Sequence, residues 1–335
     1  MKDRIESLDL HRVKLTSLKR KRHRVDKTLF ARPWIKNGTL HDFLDTLPNV
    51  LAGKELREVV DRIAEAVRGK RMVLLGMGAH PIKVGLNPIL IDWMEKGVLK
   101  GLSMNGAGLI HDVEVAMVGH TSEEVDEDLS KGTFGMVRET QETINRAIQK
   151  GVDEGLGIGE SLGRKILNEK FPFKHLSLLA AGQRLGIPIT VHVAIGTDIT
   201  HMGPSADGAA LGKGSLKDFH TFVSLVSKLE KGVFINLGSA VIIPEVFLKA
   251  LGLARNLGYP VFHLTTVNMD FIQHYRPLLN VVKRPTLKGG RGYNLIGHHE
   301  VMFPLLAAAV IEKLGVRGSQ RSRVRSVVSS RKIGQ

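Results

Sequence analysis

The chain has 335 residues, of which 43% are hydrophobic and 24% charged, and it carries a formal net charge of +15. This length and composition suffice for one large globular domain or two modest ones. The chain has no cysteine, which excludes disulfides, thiolate metal sites and cysteine nucleophiles.

The positive charge is concentrated at the two ends of the chain. Residues 1–36 hold 12 Lys/Arg and 4 Asp/Glu, residues 313–335 hold 7 Lys/Arg and no acid, and residues 37–312 hold 29 of each sign. We therefore expect a basic N-terminal extension, 1–37, and a basic C-terminal tail, 316–335. Such ends are either solvated without a specific partner or make weak contact with RNA or another polyanion. With 5% aromatic residues, a base-stacking surface is not expected.

No membrane segment is predicted. No apolar run approaches the roughly 18 to 20 residues that span a bilayer, and the charged N-terminus is not built like a signal peptide. We expect a cytoplasmic protein without a membrane partner.

From residue 40 onward the pattern predicts helices and strands in alternation. After two amphipathic helices in 40–67, a helix is predicted with Asn87 as its N-cap, Pro88 at its first position and Gly97 just past its end. Further helices are predicted in 109–119, 121–170, 175–185, 215–229, 244–256 and 297–315. Strands are predicted over 71–76, 99–104, 187–196, 232–238 and 259–267.

Strands that alternate with helices indicate a doubly wound, Rossmann-like α/β fold over residues 38–315, with a mainly parallel sheet and helices on both faces. Ligands of such sheets bind at the carboxyl ends of the strands. Glycine-rich loops follow three of the predicted strands, and loops at adjacent strand ends can line one cleft. They are GMGAHP at 76–81, NGAG at 105–108 and NLGSAV at 236–241.

Glycines after a strand let the backbone approach a pyrophosphate, whose charge is stabilised by free amides and a helix N-terminus. The first loop has Gly76 and Gly78, but Pro81 stands in place of a third glycine, and no acid is clearly placed to hold a ribose. Spacing alone therefore leaves two interpretations, a tight structural turn and a cofactor loop.

A long loop, 196–213, concentrates Asp198, His201, Ser205 and Asp207 at a predicted strand end. Such a cluster suits an anionic pocket for an amine, or a general base. The alternative is a turn that uses Asp and Ser for local backbone hydrogen bonds.

A second polar cluster, His298, His299 and Glu300, lies at the start of the last predicted helix. The chain has no HExxH spacing, and metal ligands would have to come from distant loops, so no metal site is predicted. The alternative is that these histidines cap the helix or line a pocket.

The run from Arg71 to Asp112 resembles the first βαβ unit of deoxyhypusine synthase. The likeness continues in order through 187–198, 232–256 and 301–315, and covers most of 38–315. The resemblance implies an NAD-binding fold, a homotetramer with active sites at a subunit interface, and an amine substrate of polyamine type. That family oxidises spermidine by hydride transfer to NAD, then passes a butylamine unit through an imine on a lysine to a translation factor.

The glycine loops and the resemblance together predict the cofactor contacts. By position, this sequence has Gly-Ala-His at 78–80 where the family has Thr-Ser-Asn, Gly-Ala-Gly at 106–108 for its Ala-Gly-Gly, and Gly-Ser-Ala at 238–240 for its glycine triplet. Asp198 matches the Asp of the family's Thr-Asp pair. The predicted NAD contacts are Gly76, Gly78, Ala79, His80, Asn105, Gly106, Ala107, Gly108, Asp198, Gly238, Ser239 and Ala240.

The departures from the family concern the transfer chemistry. The Trp-Gly-Lys segment that carries the imine-forming lysine is absent, and Ile-Pro-Glu at 243–245 replaces Lys-His-His. The sequence thus predicts an NAD-dependent enzyme that oxidises or transfers an amine-bearing group. The alternative is a catalytically inactive ligand-binding or RNA-associated assembly protein on the same fold. The predicted catalytic candidates are Asp198, His201, Asp207, Lys283, Lys288, His298, His299 and Glu300.

Overall fold

A computed structural model describes residue 5 and residues 7–315. The predicted C-terminal tail, 316–335, lies outside the described residues. Residues 7–36 form an extended segment with three single-turn 3-10 helices, at Leu10–Arg12, Leu18–Arg20 and Lys27–Leu29. Within the described part of the chain, no helix is long and apolar enough to cross a membrane.

A six-stranded, entirely parallel sheet forms the centre of the described structure. Its strand order is β3-β2-β1-β4-β5-β6, which is the strand order of a Rossmann fold. The α/β fold class predicted from the alternation is therefore confirmed. The strands are β1 (Val73–Met77), β2 (Gly101–Asn105), β3 (Ile189–His192), β4 (Val233–Leu237), β5 (Thr265–Asp270) and β6 (Arg291–Ile296).

Helices cover both faces of the sheet, and glycines in the left-handed conformation end several of them, such as Gly119 (φ 77°) and Gly186 (φ 65°). The short α12 continues into a π-helical stretch, Leu278–Lys283. The helices are α1 (Leu40–Thr46), α2 (Leu51–Arg68), α3 (His80–Lys83), α4 (Asn87–Glu95), α5 (Gly106–Val118), α6 (Val125–Lys131), α7 (Arg138–Asp153), α8 (Ile158–Asn168), α9 (Leu178–Leu185), α10 (Gly208–Val226), α11 (Ile242–Asn256), α12 (Tyr275–Pro277) and α13 (His299–Leu314).

Two hydrophobic layers enclose the sheet. One layer has residues from α2, α4, α5, α7, α8, α9, α13 and the start of α10, and the other has residues from the rest of α10 and from α11. Strand β1 is buried over all five residues, as expected for a central parallel strand with both faces covered. Successive residues of β1 alternate between the layers, since Val73 and Leu75 belong to the first and Leu74 to the second.

The structure differs from the sequence-based expectation in several elements. Helix α10 begins at Gly208, inside the predicted loop 196–213, because Asp207 accepts hydrogen bonds from the amides of Ala209 and Ala210 and starts the helix early. Strand β5 begins at Thr265, later than predicted. Strand β6 and the helical segment before it were not predicted.

Candidate functional site

The carboxyl ends of all six strands lie at one edge of the sheet, because every strand pair is parallel. Strands β1 and β4 are neighbours, and the chain winds outward from them in opposite directions. This reversal is the switch point at which folds of this kind bind ligands. The loops that follow β1 and β4 therefore lie where a dinucleotide is expected.

The loops after β1 and β4 are in direct contact. The amide of Gly78 donates to the carbonyl oxygen of Leu237, at 3.2 Å, and a Cβ added to Gly78 would lie 2.5 Å from the carbonyl oxygen of Gly238. Gly76 is covered by Ile243, whose Cγ2 would lie 2.4 Å from an added Cβ. These two glycines are thus required by packing within the chain, which is the structural-turn interpretation of GMGAHP.

His299 lies over the loop after β4, at the first residue of α13. Its side chain is 1% exposed, and its Nε2 is 3.2 Å from the carbonyl oxygen of Met269. Because that carbonyl can only accept, the proton of the neutral ring is on Nε2. Nδ1 is then an unprotonated acceptor, buried and without a partner in the described structure. Burial lowers the pKa of His299, so the ring stays neutral.

Aromatic rings surround His299. The ring of His80, which follows β1, lies 5.1 Å from the His299 ring, and that of Phe271, which follows β5, lies 5.7 Å from it. Asp270 is buried, and its Oδ1 is 3.8 Å from Nε2 of His299. The ends of β1, β4 and β5 and the start of α13 thus build one site. We call Gly238, His80, Asp270, Phe271 and His299 the histidine site.

His298 and Glu300 lie at the rim of this site. Their side chains are 74% and 46% exposed and lie 3.8 Å apart, from Nδ1 to Oε1. The ring of His298 is parallel to that of Phe271, with 6.2 Å between the ring centroids. Of the predicted cluster 298–300, the structure buries His299 alone.

Asp198 and His201 form a second buried pair, at the ends of β2 and β3. Asp198 lies against Gly106, where an added Cβ would be 1.9 Å from Oδ2. Nε2 of His201 is 3.8 Å from Oδ2 of Asp198, and both atoms are buried without a hydrogen-bond partner in the described structure. Burial raises the pKa of Asp198, and the neighbouring His201 opposes this. Nδ1 of His201 accepts from the amide of Gly196 at 3.1 Å, which leaves the proton on Nε2.

The position of Asp198 changes the interpretation of loop 105–108. A carboxylate at the N-terminus of α5 occupies the region that was predicted to receive a phosphate, and like charges repel there. Asn105 caps α5 through the amide of Gly108, 2.9 Å from its Oδ1, and Gly108 packs on Met104. The sequence showed no acid near a ribose position because Asp198 is 93 residues further along the chain than Asn105.

Three predicted catalytic candidates lie apart from the histidine site and from the pair of Asp198 and His201. Asp207 is the N-cap of α10 and is exposed. Lys283 and Lys288 are exposed and lie in the segment that leads to the amino end of β6. Gly289, next to Lys288, packs on His263, which precedes β5, so this lysine is at the sheet edge opposite the histidine site. Sequence comparison selected these two lysines only because they lie near the position of the family's missing Trp-Gly-Lys segment.

A row of carboxamides, which we call the amide row, connects the two loops of the site. Nδ2 of Asn236 donates to Oδ1 of Asn268 at 2.8 Å, and Nδ2 of Asn268 donates to Oδ1 of Asn294 at 2.8 Å. Asn294 donates to Gln273, in the loop after β5, and Asn236 also donates to the carbonyl oxygen of Ser239, after β4. The three asparagines are aligned in the sheet register. Sequence reasoning missed them, because single asparagines in buried strands give no periodic signal.

The fold is shared with solved structures of low sequence identity. AgrE in a ternary complex with ornithine and NAD+ superposes with a TM-score of 0.50 at 16% identity, over 78% of this chain and 34% of AgrE. A LOR/SDH protein from Methanococcus maripaludis S2 gives 0.50 at 16% identity, over 84% of this chain and 72% of that one. A deoxyhypusine synthase from Entamoeba histolytica gives 0.48 at 10% identity, over 83% of this chain and 95% of that one.

The similarities to AgrE and to the LOR/SDH protein show the fold alone, and the predicted resemblance is confirmed at that level. The chain spans about a third of the length of AgrE. No protein-family model matches the chain, and no curated protein matches it.

Proposed function

We propose that this protein binds NAD+ across the ends of β1 and β4 and oxidises a carbon that bears an amine. The observation that carries the proposal is the free, buried Nδ1 of His299 directly beside the switch point of a Rossmann-ordered sheet. The shared fold with AgrE, whose structure contains ornithine and NAD+, supports both the cofactor and the amine.

The N-terminus of α11 suits the pyrophosphate of NAD+. This helix has 15 residues, its N-cap Val241 makes no side-chain cap hydrogen bond, and the Val241 side chain is 44% exposed. Oγ of Ser239 accepts from the amide of Ile243 at 3.2 Å, and the helix dipole together with the other first-turn amides favours an anion at such an end. Gly238, Ser239 and Ala240 bring the chain to this point with small or absent side chains.

Asp198 suits a ribose hydroxyl of the cofactor. Its Oδ2 is a buried acceptor without a donor at the end of β2, where Rossmann folds place the acid that holds the ribose. A carboxylate at this point repels a 2′-phosphate, so we propose NAD+ rather than NADP+ as the cofactor. His201, with its proton on Nε2, is a donor beside the same position.

Bound NAD+ supplies a hydride acceptor for the substrate carbon. His299 accepts the proton that the amine group of the substrate releases, because Nδ1 is free while Nε2 is held by Met269. The carboxylate of Asp270, 3.8 Å from Nε2, stabilises the imidazolium that results. Phe271 and His80 flank the ring and limit the access of water.

We do not extend the proposal to transfer through a lysine imine. Lys283 and Lys288 are exposed and lie towards the opposite edge of the sheet. An imine-forming lysine needs desolvation or a cationic neighbour to lower its pKa. Oxidation of an amine needs no such lysine.

The experiment is isothermal titration calorimetry of the full chain with NAD+ and NADP+, followed by NADH fluorescence with monoamines, ornithine and spermidine. In Ala240→Asp, a carboxylate at the start of α11 should weaken NAD+ binding about tenfold or more. Ala209→Asp, at the start of α10, is the matched control and should bind as the wild type does. Absence of NAD+ binding by the wild type, or equal loss in both variants, contradicts the proposal.

A further inference from the structure

Helix α6 has no buried residue and carries an apolar side without a partner in the described structure. Val125 and Leu129 are one helical turn apart, so they share this side, and they are 45% and 65% exposed. Val118 and Met136, before and after the helix, are 49% and 56% exposed. Apolar groups in such a patch commonly mark an interaction surface.

A groove of about 390 Å³ adjoins α6. Three apolar side chains, three glutamates and four other polar residues, one of them His120, line it, with no Lys or Arg among its lining residues. Residues 123–131, which follow the groove and include α6, hold five carboxylates and one lysine. We call the groove and α6 together the acidic surface. Its main lining residues are Glu114, Met117, Val118, Glu123, Val137 and Glu139.

The N-terminal segment 7–28, which we call the arm, is positively charged, whereas the acidic surface is negatively charged. Like that surface, the arm has apolar side chains that nothing packs against in the described structure. Every residue of the arm is exposed, and Leu10, Leu15 and Leu18 are 75%, 91% and 75% exposed. Residues 9–24 hold seven Lys/Arg and one Asp. The chain joins the folded body at Leu29, whose carbonyl oxygen accepts from the amide of Asn49 at 2.9 Å.

We propose that the arm of one copy of this chain docks on the acidic surface of a second copy. The leucines of the arm pack on the exposed apolar side chains of α6 and the groove, and its lysines and arginines pair with the glutamates and aspartates. Complementary charge sets the register of such contacts and speeds encounter. Reciprocal docking of two arms closes a two-fold dimer.

The composition of the arm favours a protein surface over RNA. The arm has no Phe, Tyr or Trp within 7–28 on which bases could stack. Its exposed leucines gain nothing from phosphates, whereas they gain burial in an apolar groove.

The test is analytical ultracentrifugation of the full chain at about 0.05 M and 0.5 M NaCl, where screening differs strongly. We expect a dimer whose dissociation constant rises about tenfold or more in high salt. Glu124→Lys/Asp126→Lys/Glu127→Lys and Lys19→Glu/Arg20→Glu/Lys21→Glu should each weaken the dimer, and their combination should restore it. Leu129→Ser should weaken it, while Leu216→Ser, 55% exposed on α10, should not.

Carbodiimide cross-linking of a mixture of isotopically heavy and light chains identifies the occupant, since it joins lysine amines to nearby carboxylates. Cross-links between Lys19 or Lys21 of one chain and residues 123–128 of the other are expected. A monomer at low salt, failure of the combined variant to recover, or cross-links only within one chain overturns the proposal. The proposal is also overturned if the Lys19→Glu/Arg20→Glu/Lys21→Glu variant loses RNA binding but self-associates as the wild type does.

Discussion

The imidazole of His299 lies directly on Gly238: a Cβ added to this glycine would be 2.6 Å from Cε1 of the ring. Gly238 also has a φ of 67°, a conformation that L side chains rarely adopt. Position 238 therefore excludes a side chain for two independent reasons. One is the backbone conformation, and the other is the contact with the ring of His299, the proposed base.

The two reasons can be separated by comparing Gly238→Ala with Gly97→Ala. Gly97 has a φ of 69° and no atom within 4 Å of an added Cβ. Gly97→Ala should lower the free energy of unfolding by about 1 kcal/mol, from backbone strain alone. Gly238→Ala should cost about 1–3 kcal/mol more, because the ring must move. Urea denaturation measures both, and equal losses would show that the ring contact contributes nothing.

His299→Asn removes the acceptor Nδ1 that we propose as the base. Amine-dependent NADH formation should fall about 10²- to 10⁴-fold, the usual contribution of a general base. NAD+ affinity should change little, and this unchanged affinity is also the check that the variant folds. His298→Asn is the control at the exposed rim and should retain most of the activity. If the His299→Asn variant turned over substrate at the wild-type rate, His299 would not be the base.

The pH dependence of the reaction gives a second check on His299. Burial lowers its pKa, so the neutral, proton-accepting ring persists below the ordinary histidine range. The midpoint of the acid limb of the pH–rate profile should therefore lie below pH 6.5, the ordinary pKa of histidine. A limb above that value would indicate a different base.

Lys283→Ala and Lys288→Ala should leave NAD+ binding and turnover unchanged. Both side chains are exposed and lie towards the amino edge of the sheet, so each change should alter stability by less than about 0.5 kcal/mol. The decisive measurement is borohydride trapping with an oxidised amine substrate, followed by mass spectrometry of the chain. A trapped adduct on either lysine would restore the imine pathway of deoxyhypusine synthase.

Asp218→Asn should flatten the pH dependence of stability. Asp218 lies buried on α10 and accepts from the amides of Gly159 and Val191, at 2.9 and 2.8 Å. Burial raises its pKa from 3.8 to about 7, so the folded state holds a proton that the unfolded state releases. The stability from this group is present below pH 3.8 and is lost as the pH rises through about 7.

Each unit of the pKa shift of Asp218 contributes at most about 1.4 kcal/mol to the free energy of unfolding. Subtracting the Asp218→Asn denaturation curves from those of the wild type at each pH isolates the contribution. This subtraction removes the opposite effect of His192, whose burial lowers its pKa to about 3. A pH-independent difference would contradict a buried, titrating Asp218.

The sequence was sufficient for the fold because the strongest signals are local. The strand predicted over 71–76 is observed at Val73–Met77, where it is fully buried. The helix ends predicted at Gly119 and Gly186 are observed there, because both glycines adopt the left-handed conformation. Asn87 shows the limit: it was predicted as an N-cap but is the first residue of α4. Its side chain donates instead to the buried Asp112, at 3.2 Å.

The site was less predictable, because its contacts join distant segments. Residues 76–81 and 298–300 were both selected, but only the sheet topology brings His80 and His299 together. Asp270 and Phe271 gave no motif, since a single acid at a strand end is common. The glycines were selected for approach to a phosphate, whereas at Gly78, Gly106 and Gly238 protein atoms occupy the nearby space.

The amide row has a consequence for how the two loops behave. Each carboxamide donates through nitrogen and accepts through oxygen, so the orientation of Asn268 fixes that of Asn236 on one side and Asn294 on the other. Because the carbonyl oxygen of Ser239 can only accept, Asn236 must present Nδ2 to it, and this fixes the orientation of the whole row. The turns at Ser239 and Gln273, which follow different strands, are thereby joined by one chain of hydrogen bonds, so a displacement of either turn must break or lengthen a bond of this chain.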